Sequence, residues 1–281
     1  MKNALVVEGG GMRGIFSAGV LDAFLERKFD PFDLYIGVSA GSCNLGSHLA
    51  GQHRRNYRVY TGPMTDPRFI SPRRFLSGGH WMDLDWLWNT LEAVDPMDAA
   101  AAERRLKKKK ARFLIVATDA ESGSPMYLDA VKETMYDHMK ASSAVPLLYR
   151  GPVRAGGNNA VDGGVADPIP VARAYEMGAR KIMVVRSRGF GYVKKKDIET
   201  LLLSLAALGR PGLRRAMIEK PGRYMDSVAM IRRPPADADI IEINPPENMK
   251  TGRTSQDKSA LEEDYRSGIA AGLAAIERWK K

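Results

Sequence analysis

A single cysteine, Cys43, excludes an internal disulfide framework and a cysteine-rich zinc site, and redox chemistry with them. Histidine is nearly as scarce: His48, His53, His80 and His138 are the whole complement, and none lies in the second half of the chain. Residue spacings that would hold another metal, and calcium loops, are also missing, so no metal and no cofactor are expected. No apolar run approaches the roughly 20 residues that cross a bilayer. The apolar part of Met1 to Glu8 is too short for a signal peptide, and the expected location is cytoplasmic, including the inner membrane face. Acid is outnumbered, with 43 Lys and Arg against 33 Asp and Glu and a net charge of +10, which favours anionic partners. The surplus lies in short runs: Arg54-Arg55, Arg73-Arg74, Arg104-Arg105, Lys107 to Lys110, Lys194 to Lys196, Arg214-Arg215 and Arg232-Arg233. Any one run reads most simply as a solvated surface. Zinc fingers, RNA-recognition strand motifs and helix-turn-helix patterns are absent, so no specific nucleic acid is expected.

What is present is a chain of 281 residues with 44% apolar and 27% charged side chains, enough for a large buried core. Asn3 to Glu8 reads as a buried strand, Gly14 to Lys28 as an amphipathic helix, Asp33 to Val38 as a second strand and Ala40 to about Gln52 as a second helix. Such a βαβα opening predicts a mostly parallel sheet with ligands at the carboxyl ends of its strands. From Gly62 to Asp98 the pattern loosens around prolines and three tryptophans, Trp81, Trp86 and Trp88. These fit an aromatic cover over a pocket, interfacial anchors, or a helix packed on the sheet. A basic helix, Asp98 to Lys110, precedes a strand at Arg112 to Thr118 and a return at Met126 to Leu128. A helix follows at Val131 to Ala141, then a short strand among turn residues at Gly156 to Gly164. Further on come a helix from Ile169 to Met177 and a strand from Arg180 to Val185. A basic helical insertion at 186–236 is expected to break at Pro211, Pro221 and Pro234-Pro235. Asp239 to Ile243 and a helix from about Ser259 to Lys280 close a single expected domain, 1–281.

Two glycine-rich turns carry the chemistry. Gly37-Val38-Ser39-Ala40-Gly41 follows a strand and precedes a helix, the setting of a nucleophile elbow, although glycines also serve packing at such corners. Gly9-Gly10-Gly11-Met12-Arg13-Gly14 matches a dinucleotide-binding turn, but the end of the second strand holds Gly37-Val38-Ser39 where a ribose-binding acid is needed. A phosphate loop fails for want of a closing Gly-Lys-Ser/Thr. The loop can instead offer consecutive N–H groups at a helix N-terminus, beside the serine, as an oxyanion site requires. Arg13 could add charge there or face solvent. A base for Ser39 is harder to find. A triad with Asp119 or Asp129 and His138 is formally open, yet His138 sits mid-helix among polar neighbours, which suits a surface histidine. His48 and His53 point away from the elbow. Asp162, between a strand and two glycines, is best placed as an acid acting as base; it could also be a simple Asp-Gly turn.

Taken together, Glu8 to Gly14, Gly37 to Gly41 and Asp162-Gly163-Gly164 resemble the patatin-like phospholipase family in order and spacing, as do Ala141 to Pro146 and Asp167 to Pro170. The resemblance covers about 4–185 and is to the bacterial members. It implies a three-layer α/β/α hydrolase with a mostly parallel sheet and a Ser39/Asp162 dyad. It also implies an oxyanion hole in the loop Gly9, Gly10, Gly11, Met12, Arg13 and Gly14, an elbow framed by Gly37 and Gly41, and a base loop at Gly163 and Gly164. Glu8 stands where the family often has Asp, a change expected to touch packing more than catalysis. The implied partners are a lipid or other acyl-ester substrate and an anionic membrane surface. The competing class is a basic lipid- or nucleic-acid-binding protein with a vestigial site.

Overall fold

The computed structural model describes residues 2–195, 207 and 209–281. Its strands are β1 (Lys2–Val7), β2 (Leu34–Val38), β3 (Arg112–Asp119), β4 (Pro125–Asp129), β5 (Val153–Ala155), β6 (Asn158–Asp162), β7 (Ala179–Val185) and β8 (Asp239–Ile243). They form one sheet in the order β5-β6-β3-β2-β1-β7-β8, with β4 paired to β3 off that path. The centre is parallel, β3 to β8, and the β4, β5 and β6 pairings are antiparallel.

Strand side chains alternate between two apolar layers, as a sheet covered on both faces demands. Leu5, Val7, Tyr35, Phe113, Ile115, Met183 and Val185 face one layer. There they meet helices α1 (Gly14–Glu26) and α2 (Ala40–Leu49), together with α6 (Ala99–Lys109) and the C-terminal helix α10 (Lys258–Lys280). Ala4, Val6, Leu34, Ile36, Leu114, Val116, Ile182 and Val184 face the other. That face is covered by α8 (Val171–Glu176) and α9 (Pro211–Arg232). The architecture is therefore the expected α/β/α sandwich.

Between α2 and α6 lie three shorter helices, α3 (Arg55–Thr61), α4 (Pro72–Leu76) and α5 (Leu84–Val94), which build an apolar cluster of their own beside α1. Trp86 and Trp88 pack within it rather than on the sheet. Helix α7 (Met135–Ser142) starts later than its sequence pattern suggests.

Two expectations need correction. Pro221 lies inside α9 without ending it; Arg223 donates to the Ala216 carbonyl on the preceding turn (2.5 Å), which offsets part of the lost backbone bonding. The start of the proposed insertion is described to Lys195, but Lys196 to Ala206 and Leu208 fall outside the described residues. The basic runs also divide. Arg55 is buried and bonds Ser47 and the Asp95 carbonyl, while Arg105 and Lys109 pair with Asp30, so part of the positive charge holds helices together.

The register of β3 decides where the site forms. Residues Arg112 to Val116 pair with β2 on one edge, and Leu114 to Thr118 pair with β4 on the other. Ala117 to Asp119 also pair with β6. Only the β2 edge is open to it, just past the point where β2 stops. Asp162, opposite Ala117, thus arrives at the carboxyl end of β2, where Ser39 begins.

Candidate active site

Ser39 occupies the sharp corner between β2 and α2 with φ 52° and ψ −128°, a region that L-residues avoid. The corner closes only because its neighbours are small. A Cβ on Gly37 would lie 2.5 Å from Ser42 Cα, and one on Gly41 would lie 2.3 Å from the Val7 carbonyl. Two serines bolt it down. Ser142 Oγ accepts from the Ser39 amide (2.7 Å) and donates to the Val116 carbonyl (2.5 Å), while Ser42 Oγ donates to the Ser39 carbonyl (2.7 Å).

The Ser39 hydroxyl is hydrogen-bonded to the Asp162 carboxylate. Asp162 is almost fully buried, and the Gly164 amide donates to its Oδ1 (2.8 Å). Its backbone is fixed by the Asp162 amide to the Ala144 carbonyl (2.9 Å) and by Thr118 Oγ1 to the Asp162 carbonyl (2.9 Å). Gly163 allows this approach, since a Cβ there would sit 2.0 Å from the Val116 carbonyl. Burial pushes the Asp162 carboxyl above the ordinary range; Lys220, the Ser39 hydroxyl, the Gly164 amide and Arg253 pull the other way without cancelling it.

The glycine loop lies beside this pair: a Cβ on Gly9 would be 2.8 Å from Ser39 Cβ. Its donors are unequal. The Met12 amide donates to the Arg253 carbonyl (3.0 Å), that of Arg13 to Gly10 (3.3 Å), and that of Gly14 back to Gly11 and Met12. Among the described residues the amides of Gly9, Gly10 and Gly11 find no acceptor. Met12, Arg13 and Gly14 therefore do not offer free amides, contrary to the expectation from sequence.

Glu8, just before the loop, accepts from Arg186 Nε (2.9 Å) and from the Ser187 amide (2.8 Å). Arg186, 1% exposed, also bonds Glu242 of β8 and the Tyr224 hydroxyl (2.7 Å). Glu8 thus joins β1, β7 and β8 at the loop's base, a packing role as expected.

Ser39 and Asp162 open into a cavity with two unlike walls. One is apolar and comes from residues 59–97 and 136–139, including Val59, Met64, Phe69, Leu87 and Trp88. The other carries Arg13, Arg188, Lys194, Lys220 and Arg253. No histidine borders it. His138, expected at the surface, is buried against the Asp129 backbone, and burial lowers its pKa. His48 is buried facing the Leu21 carbonyl, and burial with Arg105 lowers its pKa to about 4. Cys43 borders the cavity with its sulfur 3.7 Å from Ser143 Oγ, and burial raises its pKa. Sequence reasoning left Ser142, Arg188, Lys220 and Arg253 without roles. Only Ser142 had a signal, inside the Ala141 to Pro146 segment; the three cations reach the site by tertiary contact alone.

A covered parallel sheet with a strained serine corner, a buried aspartate and a glycine loop at its carboxyl end has the fold and site layout of an α/β lipid hydrolase. The patatin-like phospholipase family model matches residues 5–175, and the chain belongs to that family. A second model, a domain of unknown function (DUF6363), matches residues 210–281. The uncharacterized protein YjjU of Escherichia coli (strain K12) is 35% identical over 270 residues, covering 96% of this chain and 75% of its own. Among solved structures, VipD from Legionella pneumophila aligns at TM-score 0.48 with 14% identity, over 99% of this chain and 67% of its own. Human GIVD cytosolic phospholipase A2, solved with a fluorophosphonate inhibitor, aligns at TM-score 0.44 with 12% identity, over 98% and 58%. No described helix is long and apolar enough to cross a membrane.

Proposed function

We propose that the protein hydrolyses carboxylic esters of lipids, with Ser39 as nucleophile and Asp162 as its base. The observation that carries the reading is the hydrogen bond from the Ser39 hydroxyl to a buried, upward-shifted carboxylate, in a cavity with an apolar wall and no bordering histidine. Raising the carboxyl brings its proton affinity closer to what a general base needs near neutral pH. As Ser39 Oγ attacks the ester carbonyl, Asp162 takes its proton and the carbonyl oxygen becomes an oxyanion. The unbonded amides of Gly9, Gly10 and Gly11 supply the donors, supported by the dipole of the helix behind them. Asp162 then gives its proton to the departing alcohol, leaving an acyl-enzyme. Water, deprotonated by Asp162, releases the fatty acid and restores Ser39.

The apolar wall suits the acyl chain. The basic surplus supports peripheral attachment to anionic membrane from the cytoplasmic side. We also treat residues 1–281 as one functional unit, because β8 extends the same sheet and the Arg253 carbonyl holds the glycine loop.

Ser39→Ala and Asp162→Asn should each lower turnover of a p-nitrophenyl acyl ester by about 10³-fold or more. Circular dichroism should show both variants folded. Retained turnover in Ser39→Ala contradicts the assignment.

A further inference from the structure

The cavity's second wall has no part in the chemistry just described. Arg13, Arg188, Lys194, Lys220 and Arg253 border it. Arg55 borders it too, but is bound to Ser47 and Asp95. The only carboxylates on the lining are Glu8 and Asp162. Glu8 is committed to Arg186 and Ser187, and Asp162 to Ser39 and Gly164. The wall therefore holds an excess of positive charge around a partly dry space.

We propose that this wall is a headgroup subsite that selects acyl esters whose alcohol portion carries a phosphate, and prefers a phosphomonoester dianion to a zwitterionic or neutral headgroup. The proposal rests on the hydrolase reading above and specifies its substrate. Three observations support it. First, the cations crowd one another: burial, then Arg188 and Arg253, lowers the Arg13 pKa to about 10. Like charges held together in a low-dielectric cleft are stabilised by a bound anion. Second, buried Arg13 Nε finds no hydrogen-bond acceptor among the described residues, a donor position that a phosphate oxygen fills. Third, the wall is built in place. Arg253 is anchored through its carbonyl to the Met12 amide. The Arg188 guanidinium lies 4.4 Å from the centre of the Tyr192 ring, which packs edge-on against Tyr224 at 5.7 Å.

The geometry also orients the substrate. With the carbonyl at Ser39, the acyl chain lies along the apolar wall and the leaving alcohol faces the cations. A choline group would bring a further cation into a cationic wall, and a plain glycerol would leave the charges unmatched. Arg188, Lys220 and Arg253 all lie beyond residue 175, where the family match ends, so this selectivity belongs to the chain's later part.

The test compares three glycerol esters with the same acyl chain, bearing a phosphomonoester, a phosphocholine or a free hydroxyl. In the wild type, kcat/KM for the phosphomonoester should exceed that of each of the others about tenfold or more, mainly through KM. Arg188→Gln and Arg253→Gln should each shrink that ratio several-fold, and Arg188→Lys should restore most of it; thermal melting identifies any variant that fails to fold. Inorganic phosphate is tested as an inhibitor of p-nitrophenyl butyrate turnover. Competitive inhibition that weakens in Arg253→Gln supports a subsite that accepts free phosphate. No inhibition, with the ester ratio intact, supports one that needs the phosphate tethered to the acyl chain. A neutral glyceride cleaved as well as the phosphomonoester overturns the headgroup proposal and leaves the hydrolase standing. Absence of turnover with every ester overturns both.

Discussion

Ser39 holds a backbone conformation with φ 52° and ψ −128°, and strain of this kind costs about 1–3 kcal/mol. Alanine keeps the strain and glycine relieves it, at a penalty of about 0.5–1 kcal/mol from the freer unfolded chain. Ser39→Gly should therefore be at least as stable as Ser39→Ala, by up to about 2 kcal/mol in chemical denaturation, with both inactive. The reverse order would mean that the corner is unstrained. Asp162 makes a second prediction. The base works ionised, and burial raises its pKa, so activity should fall on acidification at a pH above the ordinary carboxylate range. Lys220 favours the ionised form, and Lys220→Gln should move that acid limb to higher pH. A pH profile of kcat/KM reads both effects. At this scale Ser39 and Asp162 were legible, because each announces itself through glycines that its local backbone needs. Arg253 was not, since nothing near it in sequence tells that its carbonyl meets the Met12 amide. His138 looked exposed among polar neighbours, but β4 brings the Asp129 backbone to it.

Helices α1 and α10 cross at glycines. A Cβ on Gly268 would stand 2.1 Å from the Phe16 carbonyl, and one on Gly19 2.2 Å from that of Tyr265. Tyr265 also donates to buried Asp22 (2.8 Å) across the same seam. Since α1 carries the glycine loop at its start, the crossing sets where that loop sits. Gly268→Val should cost about 1–3 kcal/mol through overpacking, measured by urea denaturation, and should lower activity along with stability. An unchanged midpoint would mean that the helices are free to part. The βαβ opening and the last strand were readable because their apolar periodicity is uninterrupted. Helices α3 to α5 were not, because short pieces among prolines carry too little period; their apolar faces find one another only after α1 is in place. Pro221 misled for a different reason: tertiary packing of Tyr224, Val228 and Ile231 on the sheet holds α9 through it.

Across the whole molecule, sequence-distant parts meet beneath the site at Arg186. Its guanidinium joins Glu8 before the glycine loop, Glu242 of the last strand and Tyr224 of α9. Removing one partner from a buried ionic group strands the others, so Arg186→Ala should cost about 3–5 kcal/mol and reduce expression of folded protein. A loss of under about 1 kcal/mol would show that the network contributes little. The positive surplus was legible as a number, but its division was not. Arg55, Arg105 and Lys109 hold helices, whereas Arg13, Arg188, Lys194, Lys220 and Arg253 border the cavity. Only the three-dimensional arrangement separates structural cations from those that face a substrate. The central claim, an activated Ser39, is tested most directly by a fluorophosphonate probe on the intact protein, with the adduct located by mass spectrometry. Stoichiometric labelling at Ser39 in the wild type, lost in Ser39→Ala and strongly slowed in Asp162→Asn, is the expected result; an unlabelled wild type, or equal labelling in Asp162→Asn, contradicts the account.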